Sequence, residues 1–266
     1  MKYVDEFRDG ELAKGLAAAI AREADPARRY AFMEFCGGHT HAISRYGVTD
    51  LLPANVRMIH GPGCPVCVLP IGRVDQAIRL ALDGFIGPAH VSTIIGSRPY
   101  AFFAEEYRKP VVIAGFEPLD VVQAIRMLIR QVNEGRAVVE NEFTRAVTAE
   151  GNTKAQALVS EVFELRRSFE WRGLGQVPYS ALRIRAAYRA FDAEARYGLA
   201  YAGVPDNKAC ECGAILRGVK RPTDCKLFGT VCTPENPMGS CMVSSEGACA
   251  AHYTYGRFKD VPVVVA

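Results

Sequence analysis

The stretch Arg29-Tyr-Ala-Phe-Met-Glu-Phe-Cys-Gly-Gly-His-Thr-His41 joins an apolar run to one thiol and two imidazoles. The run from Arg29 to Phe35 reads as a buried strand. In open α/β sheets, ligands bind beyond the carboxyl ends of strands, so Cys36, His39 and His41 sit where such a fold keeps its chemistry. On the amino side, Leu12, Leu16, Ala19 and Ile20 recur at helical spacing, which predicts a helix from about Asp9 to Arg22, stopped by Pro26. On the carboxyl side, Asn55 to His60 predicts a second strand, ending in Gly61-Pro-Gly-Cys-Pro-Val-Cys67. A helix is expected from about Arg73 to Leu82. Phe85-Ile86 reads as a third strand, followed by a loop through Gly87-Pro-Ala-His-Val-Ser92. Pro99 to Tyr107 is expected to be helical, Pro110 to Phe116 a fourth strand, and Pro118 to Glu134 a long helix. Apolar strands alternating with helices argue for an α/β layered fold with a mostly parallel sheet.

After about Asn141 the pattern changes. Ala155 to Phe163 predicts a short helix, and Trp171-Arg-Gly-Leu-Gly175 a glycine-broken turn. From Asn207 to Tyr255 no period is sustained, yet the tract holds Cys210, Cys212, Cys225, Cys232, Cys241 and Cys249. Such a tract calls for an inorganic partner to order it. The chain therefore divides into a first α/β segment (1–82), a second (83–140) and a cysteine-rich C-terminal region (141–266).

Composition narrows the class. The chain has 266 residues, 49% apolar and 23% charged, which excludes intrinsic disorder, a coiled coil and a collagen-like chain. No apolar run approaches the length of a membrane span, and a net charge of +3 does not argue for nucleic acid. Asp5, Glu6, Asp9 and Glu11 interrupt the first residues, so no secretory signal is expected and a cytoplasmic setting is. Thiols stay reduced there, and nine cysteines is an odd number, so metal ligation or thiol chemistry is favoured over structural disulfides.

Three constellations carry the chemistry. In Cys36-Gly-Gly-His-Thr-His41, sulfur and imidazole nitrogen are both ligands for first-row metals, and two glycines let the backbone approach a ligand. The bland alternative is a glycine turn with surface histidines. In Cys64-Pro-Val-Cys67, the C-x-x-C spacing suits a reversible disulfide or an open metal site. No second C-x-x-C stands at zinc-ribbon distance, and the alternative is a buried, inert pair. His60 before it reads as a packed histidine. The six thiols of the C-terminal tract match neither a zinc ribbon nor the compact bacterial ferredoxin run. Iron–sulfur is favoured over zinc, and spacing does not say which four of the six would bind. Glu117 before Pro118 reads equally as a helix-start carboxylate and as a charge lining the cleft, on the same rim as His90.

The chain resembles the HypD family of [NiFe]-hydrogenase maturation factors. The resemblance runs from Lys2-Tyr-Val-Asp-Glu-Phe-Arg8 through Cys36-Gly-Gly-His-Thr-His-Ala42, His60-Gly-Pro-Gly-Cys-Pro-Val-Cys67, His90-Val-Ser92 and Val112-Ile-Ala-Gly-Phe-Glu-Pro118. It continues with Glu170-Trp-Arg-Gly-Leu-Gly175, Phe191-Asp-Ala-Glu194 and the tract from Cys212 to Ala251. It implies Rossmann-like parallel-sheet lobes and a small irregular C-terminal iron–sulfur domain. It also implies a role as scaffold for the Fe(CN)2CO unit of the hydrogenase active site, made for the hydrogenase large subunit. The implied partners are the small chaperone HypC and the cyanide donor HypE, supplied by HypF. By that resemblance Cys36 ligates the iron with a partner cysteine. Cys64 and Cys67 form a redox pair, with His39, His41 and Glu117 lining the cleft. Cys212, Cys225, Cys232 and Cys249 hold a [4Fe–4S] cluster, leaving Cys210 and Cys241 as extras.

One departure stands out. The family carries a substantial block between the helix after the C-x-x-C loop and the Gly-Pro-x-His-Val-Ser loop, and here Leu82 runs directly into Asp83-Gly-Phe-Ile-Gly87. Two complete α/β lobes are therefore not expected, and exposed apolar strand faces are. Other readings of the same residues are an iron–sulfur dithiol oxidoreductase, a zinc-stabilised interaction protein and an inactive, internally deleted remnant. The oxidoreductase reading leaves the Cys36 motif without work.

Overall fold

A computed structural model describes residues 5–61, 82–199 and 207–256. Cys64, Cys67 and all but the last residue of the helix expected over 73–82 lie outside the described residues.

The first helix, α1 (Gly10–Glu23), starts where Asp9 accepts the Glu11 and Leu12 N–H groups. Strand β1 (Tyr30–Glu34), α2 (Gly37–Arg45) and β2 (Val56–His60) follow. Then come β3 (Gly84–Pro88), α3 (Ala89–Ile95), α4 (Ala101–Glu105), β4 (Val111–Ala114), α5 (Pro118–Asn133) and β5 (Val139–Asn141). The five strands make one parallel sheet in the order β2-β1-β3-β4-β5. Its three inner strands β1, β3 and β4 are largely apolar and buried on both faces, as a parallel sheet requires when helices cover both sides. Phe32, Ile86 and Val112 point to one face, with Ile20 of α1, Ile43 of α2 and Ile125 of α5. Their neighbours Met33, Phe85, Val111 and Ile113 point to the other, with Phe35 and Phe103 of α4.

Both α/β segments thus build a single sheet. The break in the family pattern does not split it, because β1 pairs with β3 directly, Phe32 opposite Gly84 and Glu34 opposite Ile86. The expectation of exposed strand faces is corrected: Phe85, Ile86 and the whole of Val111–Ala114 are fully buried. Among the described residues the plural lobes reduce to one five-stranded lobe. Within the sheet segment two helices were not anticipated. The Cys36 motif, read only as the end of a strand, opens α2, and the Gly87–Ser92 loop contains the start of α3. In both cases packing against the sheet overrides weak helix formers, glycines in one and β-branched residues in the other.

Beyond Asn141 the chain forms α6 (Thr153–Val162) and strands β6 (Phe163–Leu165), β7 (Ser168–Trp171), β8 (Gly175–Pro178) and β9 (Leu182–Ile184). Strands β7 and β8 pair as a hairpin across the predicted glycine turn, and β6 pairs with β9. After α7 (Ala193–Tyr197), the cysteine-rich tract carries α8 (Cys212–Leu216), α9 (Ser240–Val243) and α10 (Ala248–Gly256). The tract reaches the edge strand β2: a Cβ on Gly218 would stand 2.5 Å from Ile59. Helix α10 lies against α2, where Tyr255 and His41 share a hydrogen bond of 2.9 Å.

Candidate functional site

In this strand order the chain reverses direction across the sheet between β1 and β3, which opens a crevice at their carboxyl ends. Cys36 leaves β1 as the N-cap of α2, and His90 leaves β3 as the second residue of α3. The Cys36 Sγ lies 3.7 Å from His90 Nδ1. Negative charge on that sulfur would face the positive end of the α2 dipole. The paired glycines have a steric reason. A Cβ on Gly37 would come within 2.6 Å of Glu246, and one on Gly38 within 2.8 Å of the Phe116 ring. Glu246 from the C-terminal tract and Phe116 from the β4 end therefore close on the first turn of α2.

Glu34 lies beneath Cys36, wholly buried in β1. Its carboxylate accepts the Cys36 N–H at 2.8 Å, the Thr40 hydroxyl, and His60 Nδ1 at 3.0 Å. Burial pushes this carboxyl up, and His60, Thr40 and the Cys36 N–H pull it back. Its backbone oxygen also takes the Gly61 N–H at 2.9 Å. One residue thus ties the Cys36 turn to the end of β2.

His39 is also fully buried. Its Nε2 sits 3.0 Å from the carbonyls of both Ala114 and Gly115, so Nε2 carries the proton and donates. Burial holds its pKa near 4 against those two hydrogen bonds, which leaves the ring neutral. Its Nδ1 is buried with no hydrogen-bond partner among the described residues. His90 is likewise pushed down by burial, opposed by Glu246. His41 turns toward Tyr255 of α10. Glu117 is the N-cap of α5 and binds Arg8 through both oxygens, the second contact at 2.9 Å. It serves the helix start, and it also stands on the rim beside Phe116.

The same rim holds a pair of carboxyls, Asp120 in the first turn of α5 and Glu142 just after β5. Arg145 grips Asp120 at 2.6 and 2.8 Å and lies 3.8 Å above the Phe143 ring. Burial, and then the Asp120 charge, push Glu142 up to about 7, although Arg145 pulls it down. Folded Glu142 binds its proton more tightly than unfolded Glu142. Stability from this group is full below the ordinary value of 4.5 and is lost as pH rises through about 7. Glu142→Gln is expected to flatten that slope and to be the more stable protein at pH 8. Urea midpoints of both proteins at pH 5 and pH 8 check it, and parallel pH profiles would contradict it.

The six C-terminal thiols converge. Of the ten buried residues in this tract's core, five are cysteines: Cys212, Cys225, Cys232, Cys241 and Cys249. Cys241 Sγ lies 3.1 Å from Cys249 Sγ, and the Cys241 N–H points at Cys212 Sγ from 3.3 Å. Cys210 belongs to the same group, since a Cβ on Gly239 would meet its sulfur at 2.5 Å and the Cys212 Cβ at 2.9 Å. Its hydrogen bond with Cys241, and then burial, push Cys212 up. Cys241 is also raised, by Cys249 and burial, against the pull of Cys212. Among the described residues no three His, Cys, Asp or Glu side chains are arranged to hold a single metal ion. The donor chemistry, six crowded soft sulfurs with a glycine where a side chain would intrude, fits a thiolate-bound iron–sulfur group.

Of the residues singled out from sequence, the structure gathers Cys36 and His39 at one crevice and the six thiols at another locus. His41 bridges toward the second, and Glu117 stands at the rim of the first. Sequence reasoning missed Glu34, Phe116 and Glu246. Glu34 had a signal, as the one charge inside a buried strand. Glu246 had none, because only tertiary packing brings it to Gly37.

The chain is thus an α/β protein with a cysteine at the switch point of its parallel sheet, joined by helices α2 and α10 to a thiol-rich tract. Comparison with known sequences narrows this. The family model HypD, described as the hydrogenase formation hypA family, matches residues 11–83 and 79–256. The hydrogenase maturation factor HypD of Cupriavidus necator is 55% identical over 379 residues, covering 100% of both chains. That of Rhizobium leguminosarum bv. viciae is 52% identical over 373, covering 98% of this chain and 97% of its own. That of Escherichia coli is 32% identical over 366, covering 96% and 98%. The chain belongs to the HypD family. With 266 residues against 379 aligned positions, it lacks a long internal block, and the two matched segments meet at residues 79–83.

Proposed function

We propose that this hydrogenase maturation protein is a scaffold for the Fe(CN)2CO unit of the [NiFe]-hydrogenase active site. Cys36 supplies a thiolate to the iron, jointly with a cysteine of a HypC-type chaperone. A HypE-type donor delivers cyanide, and the product goes on to the hydrogenase large subunit. The observation that supports this most is the approach of Cys36 Sγ to His90 at the switch-point crevice. Soft sulfur suits an iron that carries carbonyl and cyanide. The neutral rings of His39 and His90 add no charge to the crevice. His41 and Glu117 complete its surroundings, and Glu34 fixes the Cys36 backbone.

Cys212, Cys225, Cys232 and Cys249 are proposed to hold a [4Fe–4S] cluster, with Cys210 and Cys241 beside them. When bound, the cluster supplies single electrons. Cys64 and Cys67 are proposed as the dithiol that takes them up in pairs. A reducing compartment such as the cytoplasm suits this thiol set. Among the described residues no helix is long and apolar enough to cross a membrane.

Anaerobic purification followed by iron, zinc and acid-labile sulfide analysis tests the proposal. Iron and sulfide in near-equal amounts, about four of each per chain, are expected for the cluster. Stoichiometric zinc without sulfide would replace the scaffold by a zinc-stabilised interaction protein. A chain with no metal at all would be a remnant.

A further inference from the structure

Most of the thiol cluster is sealed: the five cysteines named above are buried, and Cys210 alone among the six is half-exposed. A recess of about 480 Å³ lies beside Cys210 and Cys212. Lys208, Arg217 and Lys220 line it, all exposed, against a single acid, Glu211, which pairs with Lys220. The thiol group thus comes nearest to solvent inside a basic rim, while the chain as a whole is only weakly cationic. Charges at such a mouth steer partners of opposite sign and set their orientation.

We propose that this rim is the docking face for an acidic one-electron carrier protein that reduces the metal group held by these thiols. The inference rests on the iron–sulfur reading above. The exchange is one electron: the carrier is oxidised by one unit, the metal group is reduced by one, and no atom or proton is transferred. Arg217 is occupied in part by the Gly213 carbonyl at 2.7 Å, and Lys220 by Glu211, so Lys208 is the charge least engaged in the fold.

The test uses the full chain, purified anaerobically, and an acidic plant-type [2Fe–2S] ferredoxin as probe. Binding is measured at low and high salt, and cluster reduction by reduced ferredoxin is compared with reduction by dithionite. Binding is expected to weaken at least about tenfold on adding salt. Lys208→Glu is expected to lower affinity and ferredoxin-driven rate by about three- to tenfold at low salt, with the dithionite rate unchanged. Lys208→Arg should retain both. Lys226→Glu, exposed in the same tract but outside the recess, should change little. Equal binding by Lys208→Glu and Lys226→Glu, or no binding at all, overturns the docking face. If iron and sulfide are absent yet ferredoxin still binds in a Lys208-dependent way, the docking face stands and the cluster reading falls.

Discussion

Cys36→Ser is expected to abolish the infrared bands of iron-bound cyanide and carbonyl while leaving the protein at least as stable as before. The two halves of this result have different causes. Cys36 is the N-cap of α2, and its side chain makes no capping hydrogen bond. Serine is among the best N-cap residues, and its hydroxyl can accept a free N–H of the first turn, so the helix gains up to about 1 kcal/mol. The oxygen is nevertheless a hard ligand and a poor match for an iron bearing carbonyl and cyanide. Co-expression with the chaperone and the cyanide machinery, followed by infrared spectroscopy of the purified complex, reads the first half. Urea unfolding reads the second. Iron and sulfide in the C-terminal tract should be unaffected, because those thiols lie in a separate core. Cyanide and carbonyl bands that persist in the variant would remove Cys36 from the site. Lost bands together with a large loss of stability would make its role structural.

Phe85→Ala is expected to cost about 3–5 kcal/mol. Phe85 is fully buried in β3, stacked on Phe35 at 4.8 Å between ring centres and tilted against Phe103 at 4.9 Å. Truncation removes the transfer energy of the ring, leaves a cavity that the neighbours fill only in part, and forfeits two aromatic contacts. Against a typical net stability of about 5–15 kcal/mol, that is a large share. Phe85 also belongs to the first strand after the place where relatives carry their extra block. Its burial is therefore a direct gauge of whether the sheet closes across that place. Equilibrium urea unfolding measures the loss, and a change below about 1 kcal/mol would mean that β3 is not docked against β1.

The sheet was largely legible in the sequence, because each core strand is a short apolar run bounded by Pro, Gly or polar residues. Strand β4 between Pro110 and Gly115 is the clearest case. Helix α5 was legible for a related reason, with Pro118 at its first position and apolar residues at helical spacing. Helices α2 and α3 were not. Gly37-Gly38 argues locally against a helix, and the neighbours that require glycine there, Glu246 and Phe116, are distant in sequence. The site divides the same way. Cys36 was visible as a reactive type at a strand end, whereas its proximity to His90 depends on which strands become neighbours. The C-terminal thiols were legible as a group, and the approach of Cys210 and Cys212 to Gly239 was not.

The direct pairing of β1 with β3 carries a consequence for how this lobe tolerates change. Its register places Met33 against Phe85 and Glu34 against Ile86, residues of the two strands themselves. The entropic penalty for closing a longer link grows only logarithmically, at roughly 0.6 kcal/mol per doubling. The span between β2 and β3 is thus a port in the fold. Lengthening that span costs the lobe little, because the β1–β3 contacts that hold the sheet together lie outside it.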